Sequence, residues 1–266
     1  MSEGRALYGL LEDLYDRYTT LAHARHDPVS FTHQYERAAD AEVAGLVAAF
    51  LAYGRLAQIM ASVADALGRL GERPSRFARE AGPAECRRAA AGFVHRFADE
   101  GQFARLLRAV GGVIGEYGSL QQCFRAHDRP QAKTILPGLR GLADDLRAVG
   151  GMDHLVADPR KGSACKRWHL YLRWMVRADA VDTGLWQGIG PERLIVPLDA
   201  HMWRVCRGLG LTGRGICDLK AAREVTEAFR RIRPDDPVRY DFALMHASAE
   251  GDHDLQAWLR RGTAPR

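Results

Sequence analysis

Lysine is scarce in this chain of 266 residues: Lys133, Lys161, Lys166 and Lys220 are the only four among 38 basic residues, so the other 34 (38 less 4) are arginine. Lysine can give up its proton and attack an electrophile, and arginine in practice cannot. Two of the four fall in residues 160–177 (RKGSACKRWHLYLRWMVR), a stretch with six basic residues and no acidic one. Within it, Lys166 sits in the first turn of an expected helix that opens at Gly162-Ser163, with Ser163 as N-cap. There the side chain faces the positive end of the helix dipole and neighbours Arg167, an environment that works against a second positive charge. The acidic partner lies 33 residues on, at Asp199, which follows Pro197 and opens the next helix. An aspartate at that position caps the helix and stays anionic through amide hydrogen bonds and the dipole. A fixed anion beside a lysine amine can assist nucleophilic attack and stabilise positive charge developing on a sugar.

The flanking residues extend the same chemistry. Gly162 and Ser163 offer backbone N–H groups to a phosphate, and Lys161, Arg167, His201 and Arg204 are candidate phosphate contacts. Tyr53, Trp168 and Trp186 are candidate stacking surfaces for a base. The alternative for the whole stretch is an arginine-rich amphipathic helix whose tryptophans are core. The alternative for Asp199 is a capping residue alone.

Helical periodicity positions these residues. Apolar residues recur at helical spacing over 6–18, 40–52, 56–70, 86–97, 102–117, 138–149, 163–177, 199–207, 219–231 and 237–249, with Gly, Pro and charged turns between. Strand alternation is nearly absent, so the expected class is all-α. The net charge of +5 permits nucleic acid without demanding it. The five cysteines are scattered, with no CxxC pair, so no metal site and no iron–sulfur cluster is expected, and no other cofactor. The longest apolar run, residues 43–53, is too short to cross a bilayer, and residues 1–18 are too charged for a signal peptide. A cytoplasmic, nucleoid-associated monomer with no membrane partner is expected.

Residues 197–210, PLDAHMWRVCRGLG, resemble the P-V-D-T-H-V-x-R-V-x-x-R-L-G segment of the helix-hairpin-helix DNA glycosylases. That resemblance implies two helical lobes with a cleft between them, and a catalytic aspartate at Asp199. It also implies a lysine nucleophile, placed at Lys166 by its position at the start of an apolar helix. The L-P-G-V-G hairpin is missing, which leaves Lys161 as the other candidate nucleophile. The 33-residue separation is longer than in most of the superfamily and is similar to that of the archaeal 8-oxoguanine glycosylase. The implied function is base-excision repair with AP-lyase capability, on double-stranded DNA carrying an oxidised purine such as 8-oxoguanine. The lobes are placed at residues 30–190 and at 1–29 with 191–266. Most of the chain also resembles a bacterial family of unknown function, through segments that include 39–43, 52–55, 93–97, 162–167, 172–177, 184–186 and 236–244. The tail at 245–254 departs from its relatives. A DNA-binding protein without catalysis, or a scaffold that binds proteins through its arginine-rich helix, are the rival classes.

Overall fold

The computed structural model describes residues 3–262. In chain order the helices are α1 (Glu3–Tyr18), α2 (Leu21–Ala24), a 3-10 segment (Pro28–Gln34), α3 (Ala38–Leu51), α4 (Leu56–Gly68), α5 (Pro74–Glu80) and α6 (Pro83–Ala90). A minimal hairpin, β1 (Val94–His95) and β2 (Ala98–Asp99), pairs antiparallel before α7 (Glu100–Tyr117). Then come α8 (Leu120–His127), α9 (Leu136–Arg147), α10 (Lys166–Val176), a 3-10 turn (Pro191–Arg193), α11 (Ala200–Gly208), α12 (Leu219–Ile232), α13 (Asp241–Glu250) and α14 (His253–Gly262). The fold is mostly helical, as periodicity predicts. The helix expected over 86–97 instead ends at Ala90, and Arg96, at φ 55°, turns the chain into the hairpin.

Helix α3 is apolar on all sides and buried over nearly its whole length, the signature of a central core helix. It packs on α10, and Gly45 permits the approach: a Cβ there would lie 2.9 Å from the Met175 Cε. Helix α10 is thus seated against the centre of the molecule. The buried apolar residues form one contiguous core from Leu11 to Leu255.

Helix α1 lies along α13. The Tyr240 hydroxyl donates to Glu12 at 2.5 Å, the Tyr18 hydroxyl donates to Asp252 at 3.0 Å, and Arg17 pairs with Asp252 and Asp254. Helices α1 and α13 are therefore locked side by side, with Arg17 reaching the start of α14.

Candidate active site

The two residues singled out by chemistry meet. Lys166 Nζ donates to Asp199 Oδ2 at 2.6 Å, and Asp199 Oδ1 accepts from the Met202 amide at 2.8 Å as the N-cap of α11. Burial alone raises the Asp199 carboxyl, but the Lys166 ammonium and the capping amides outweigh it and hold the acid below its ordinary range. The side chains remain 29% and 37% exposed, so the pair is open to a ligand.

Helix α10 begins at Lys166, three residues later than the sequence suggests. Its N-cap is Cys165, in the left-handed region at φ 49° and without a capping side chain. Ser163, expected at the cap, instead pairs across a bridge with Asp218, the N-cap of α12, while the Gly162 carbonyl accepts from the Leu219 amide at 2.9 Å. The 162–165 turn is thus pinned to α12. Backbone held in a sparsely populated conformation costs about 1–3 kcal/mol and is retained where its surroundings over-determine it. Here it fixes where the lysine emerges.

Lys166 lies in the wall of two cavities that also share Ala52, Gly54 and Ile59. The larger, of about 700 Å³, is lined by Leu170, Trp174, Met202, Phe242 and Met245, with Asp27, Arg173, Asp241 and His246 among its polar groups. The smaller, of about 450 Å³, runs past Tyr53, Ser163, Cys165, Trp168 and Asp199. A cavity of apolar wall with a few convergent polar groups is the usual form of a small-molecule or base pocket.

The polar groups of the larger cavity were not singled out by the sequence reading. Burial raises the Asp241 carboxyl to about 6, against the pull of Arg173 and Lys166, and raises Asp27 as well. His246 is pushed down to about 4, by burial first and then by His23 and Arg173. Its Nε2 and the Trp174 Nε1 are buried without a hydrogen-bond partner. Arg173 and Asp241 lie inside two of the segments that carry the family resemblance, so that signal reached them without distinguishing them from structural residues.

The other expected residues divide. Lys161, His201 and Arg204 are exposed, as a phosphate contact requires. Tyr53 lines the smaller cavity, its ring 4.9 Å from the Arg167 guanidinium and its hydroxyl donating to the His95 carbonyl at 3.0 Å. Trp168 borders that cavity too, but it is 1% exposed, packs edge-on to Phe50 and donates to the Ala157 carbonyl at 2.9 Å.

Arg167 does not reach outward. Its guanidinium donates to the carbonyls of Phe50 and His154 and closes a loop onto α3. Trp186 lines neither cavity. It is 3% exposed and donates to the buried Glu42 at 2.7 Å, so it is core. The basic stretch is largely neutralised from within: Arg160 forks onto Asp144 at 2.5 and 2.6 Å, and Arg173 and Arg177 are buried among aspartates. The local positive charge of residues 160–177 is therefore met within the fold at Arg160, Arg173 and Arg177.

Fold and site define a mostly helical protein with a lysine–aspartate pair at the junction of two cavities. A family model described as "Protein of unknown function (DUF2400)" matches residues 27–250, and the chain belongs to that family. The matched span contains Lys166, Asp199 and every polar group named above for the larger cavity. No curated protein and no solved structure matches the chain.

Proposed function

We propose that the chain is a DNA base-excision glycosylase with AP-lyase capability, acting on an oxidised purine such as 8-oxoguanine in double-stranded DNA. The observation that carries this reading is the 2.6 Å contact between Lys166 and Asp199 in the wall of the smaller cavity, with Lys166 also lining the larger, aromatic-lined one. The convergence is of residues 33 positions apart, from separate helices, and capping alone does not require a lysine there. In this reading residues 30–190 form one helical lobe, residues 1–29 with 191–266 form the other, and the pair sits in the cleft between them.

The damaged nucleotide is flipped out of the duplex at a cost of a few kcal/mol, and its base enters the larger cavity against Trp174 and Phe242. The Asp241 carboxyl, able to donate or accept near neutral pH, and the unpartnered Trp174 Nε1 give that base polar contacts. Lys166 gives up one proton to solvent and attacks C1′ as the amine, while Asp199 remains anionic. The C1′–N bond breaks, its electron pair leaves with the base, and the base takes up a proton. Opening of the sugar ring, with protonation of the ring oxygen and loss of the second amine proton, leaves an imine between C1′ and Nζ. The Asp199 anion stabilises the positive charge that builds on the sugar before the new bond is complete. Lys161, His201, Arg204 and the 162–163 turn are exposed, and in this reading they contact the DNA backbone.

The test is reductive trapping. The protein is mixed with oligonucleotides carrying 8-oxoguanine, uracil or an abasic site, with borohydride present. A covalent adduct is expected with the wild type and with Lys161→Gln, and not with Lys166→Gln. Absence of an adduct on every substrate, or equal trapping by Lys166→Gln, overturns the covalent mechanism. Salt-dependent DNA binding without base release would instead mark a binding protein.

A further inference from the structure

Away from both cavities, three side chains of different chemistry converge on one point. Cys123 and His127 lie one turn apart on α8, and Asp145 faces them from α9. Asp145 Oδ2 is 3.1 Å from Cys123 Sγ and 2.9 Å from His127 Nε2, and all three ligand atoms lie within 4.8 Å of one another. We propose that Cys123, His127 and Asp145 bind a divalent cation of the zinc class, which clips α8 to α9.

Three observations favour a metal. The donor set is one sulfur, one imidazole nitrogen and one carboxylate oxygen, the mixture that suits zinc rather than magnesium or calcium. Bond lengths of about 2.0–2.3 Å around a tetrahedral zinc put neighbouring ligand atoms about 3.3–3.8 Å apart. The two separations from Asp145 Oδ2, 3.1 and 2.9 Å, need to open by only a few tenths of an ångström, while Cys123 and His127 lie within 4.8 Å of each other. The third observation is independent of the ligands. Gly141 lies one turn before Asp145 on α9, and a Cβ there would fall 2.1–2.5 Å from the Cβ and ring atoms of His127. The absence of a side chain at 141 is what lets the imidazole lie across α9 and reach Asp145.

Binding has a simple balance. The Cys123 thiol releases its proton to solvent, His127 shifts its proton from Nε2 to Nδ1 through solvent so that the Nε2 lone pair is free, and the hydrogen bonds that Asp145 accepts from Cys123 and His127 are exchanged for metal bonds. Cys123 is buried, while His127 and Asp145 are 36% and 28% exposed, so the ion enters from the solvent side. The Tyr117 hydroxyl lies 3.5 Å from His127 Nε2, beside the three ligands.

The full-length chain, stripped with a chelator, is titrated with cobalt(II) alone and then with zinc(II) in competition. One equivalent of cobalt is expected to give a thiolate-to-cobalt charge-transfer band and the visible bands of a four-coordinate ion, and zinc is expected to erase both. The charge-transfer band is lost in Cys123→Ser. Affinity drops roughly 10- to 100-fold in Gly141→Ala, which keeps every ligand but displaces the imidazole. His127→Gln, at a part-exposed position, repeats the loss and decides the matter alone should Cys123→Ser fail to show native circular dichroism. No charge-transfer band in the wild type, or an undiminished band in Cys123→Ser or in a folded His127→Gln, overturns the proposal. The borohydride experiment reads a different site, so either result can fail without the other.

Discussion

Helix α10 carries charge at both ends, and the two ends are built on opposite principles. At its C-terminal end Arg173 and Arg177 are 2% and 4% exposed and sit among Asp179, Asp182, Asp236 and Asp241. At its N-terminal end a single lysine meets a single aspartate, and both remain partly open to water. Burial, against the pull of Arg173 and Lys166, is what makes Asp241 keep its proton to about 6. At the open end Asp199 stays anionic. One sequence stretch thus holds a structural clamp and a reactive pair, and charge count alone does not tell them apart.

The difference can be tested from its strongest consequence to its weakest. Arg173→Met leaves buried Asp241 without its partner and Asp182 with Arg177 alone, and a loss of about 3–5 kcal/mol is expected in urea unfolding. A loss under 1 kcal/mol would dissolve the contrast between the two ends. The second effect depends on pH. The folded Asp241 carboxyl releases its proton near pH 6 and the unfolded one near the ordinary aspartate value, so the folded state binds more protons between the two. Stability from this group therefore falls as pH rises from about 4 to about 6, by roughly 2–3 kcal/mol. Comparing unfolding midpoints of wild type and Asp241→Asn at about pH 4 and about pH 7 reads that slope, which the variant lacks.

At the open end stability and chemistry come apart. Lys166→Gln and Asp199→Asn are each expected to change unfolding free energy by less than about 1 kcal/mol, since the pair is solvent-screened and asparagine still caps α11. Both abolish the borohydride adduct. A large loss of stability in either would make the pair part of the clamp. The smallest effect belongs to the rim: Arg204→Gln is expected to weaken DNA binding evenly across sequences and to lower the salt slope by about 1. An unchanged slope places the DNA elsewhere.

Much of the fold was legible, because long amphipathic segments announce themselves. The expected helices over 102–117 and 219–231 end within two residues of α7 and α12. The short elements were not. Helix α8 has eight residues, half of them polar or charged, and its Cys123/His127 spacing carries no signal until the fold brings Asp145 to it. The pairing of Lys166 with Asp199 could be argued from residue type and from a short motif. The destinations of Arg167, Arg173 and Arg177 could not, since an arginine's partners depend on which distant aspartates and carbonyls the fold brings to it. Trp186 misled for the same reason: its partner, Glu42, lies 144 residues away.

The lock between α1 and α13 bears on how the chain is made. Glu12 cannot meet Tyr240 until 228 further residues have been synthesised, which at ribosomal rates is roughly ten to fifty seconds. Over that interval the apolar stripe of α1, with Leu11 and Leu14 fully buried in the finished molecule, has no surface of α13 to cover it. The apolar stripe of α1 in this chain therefore waits for its α13 partner until nearly the whole described structure has been synthesised.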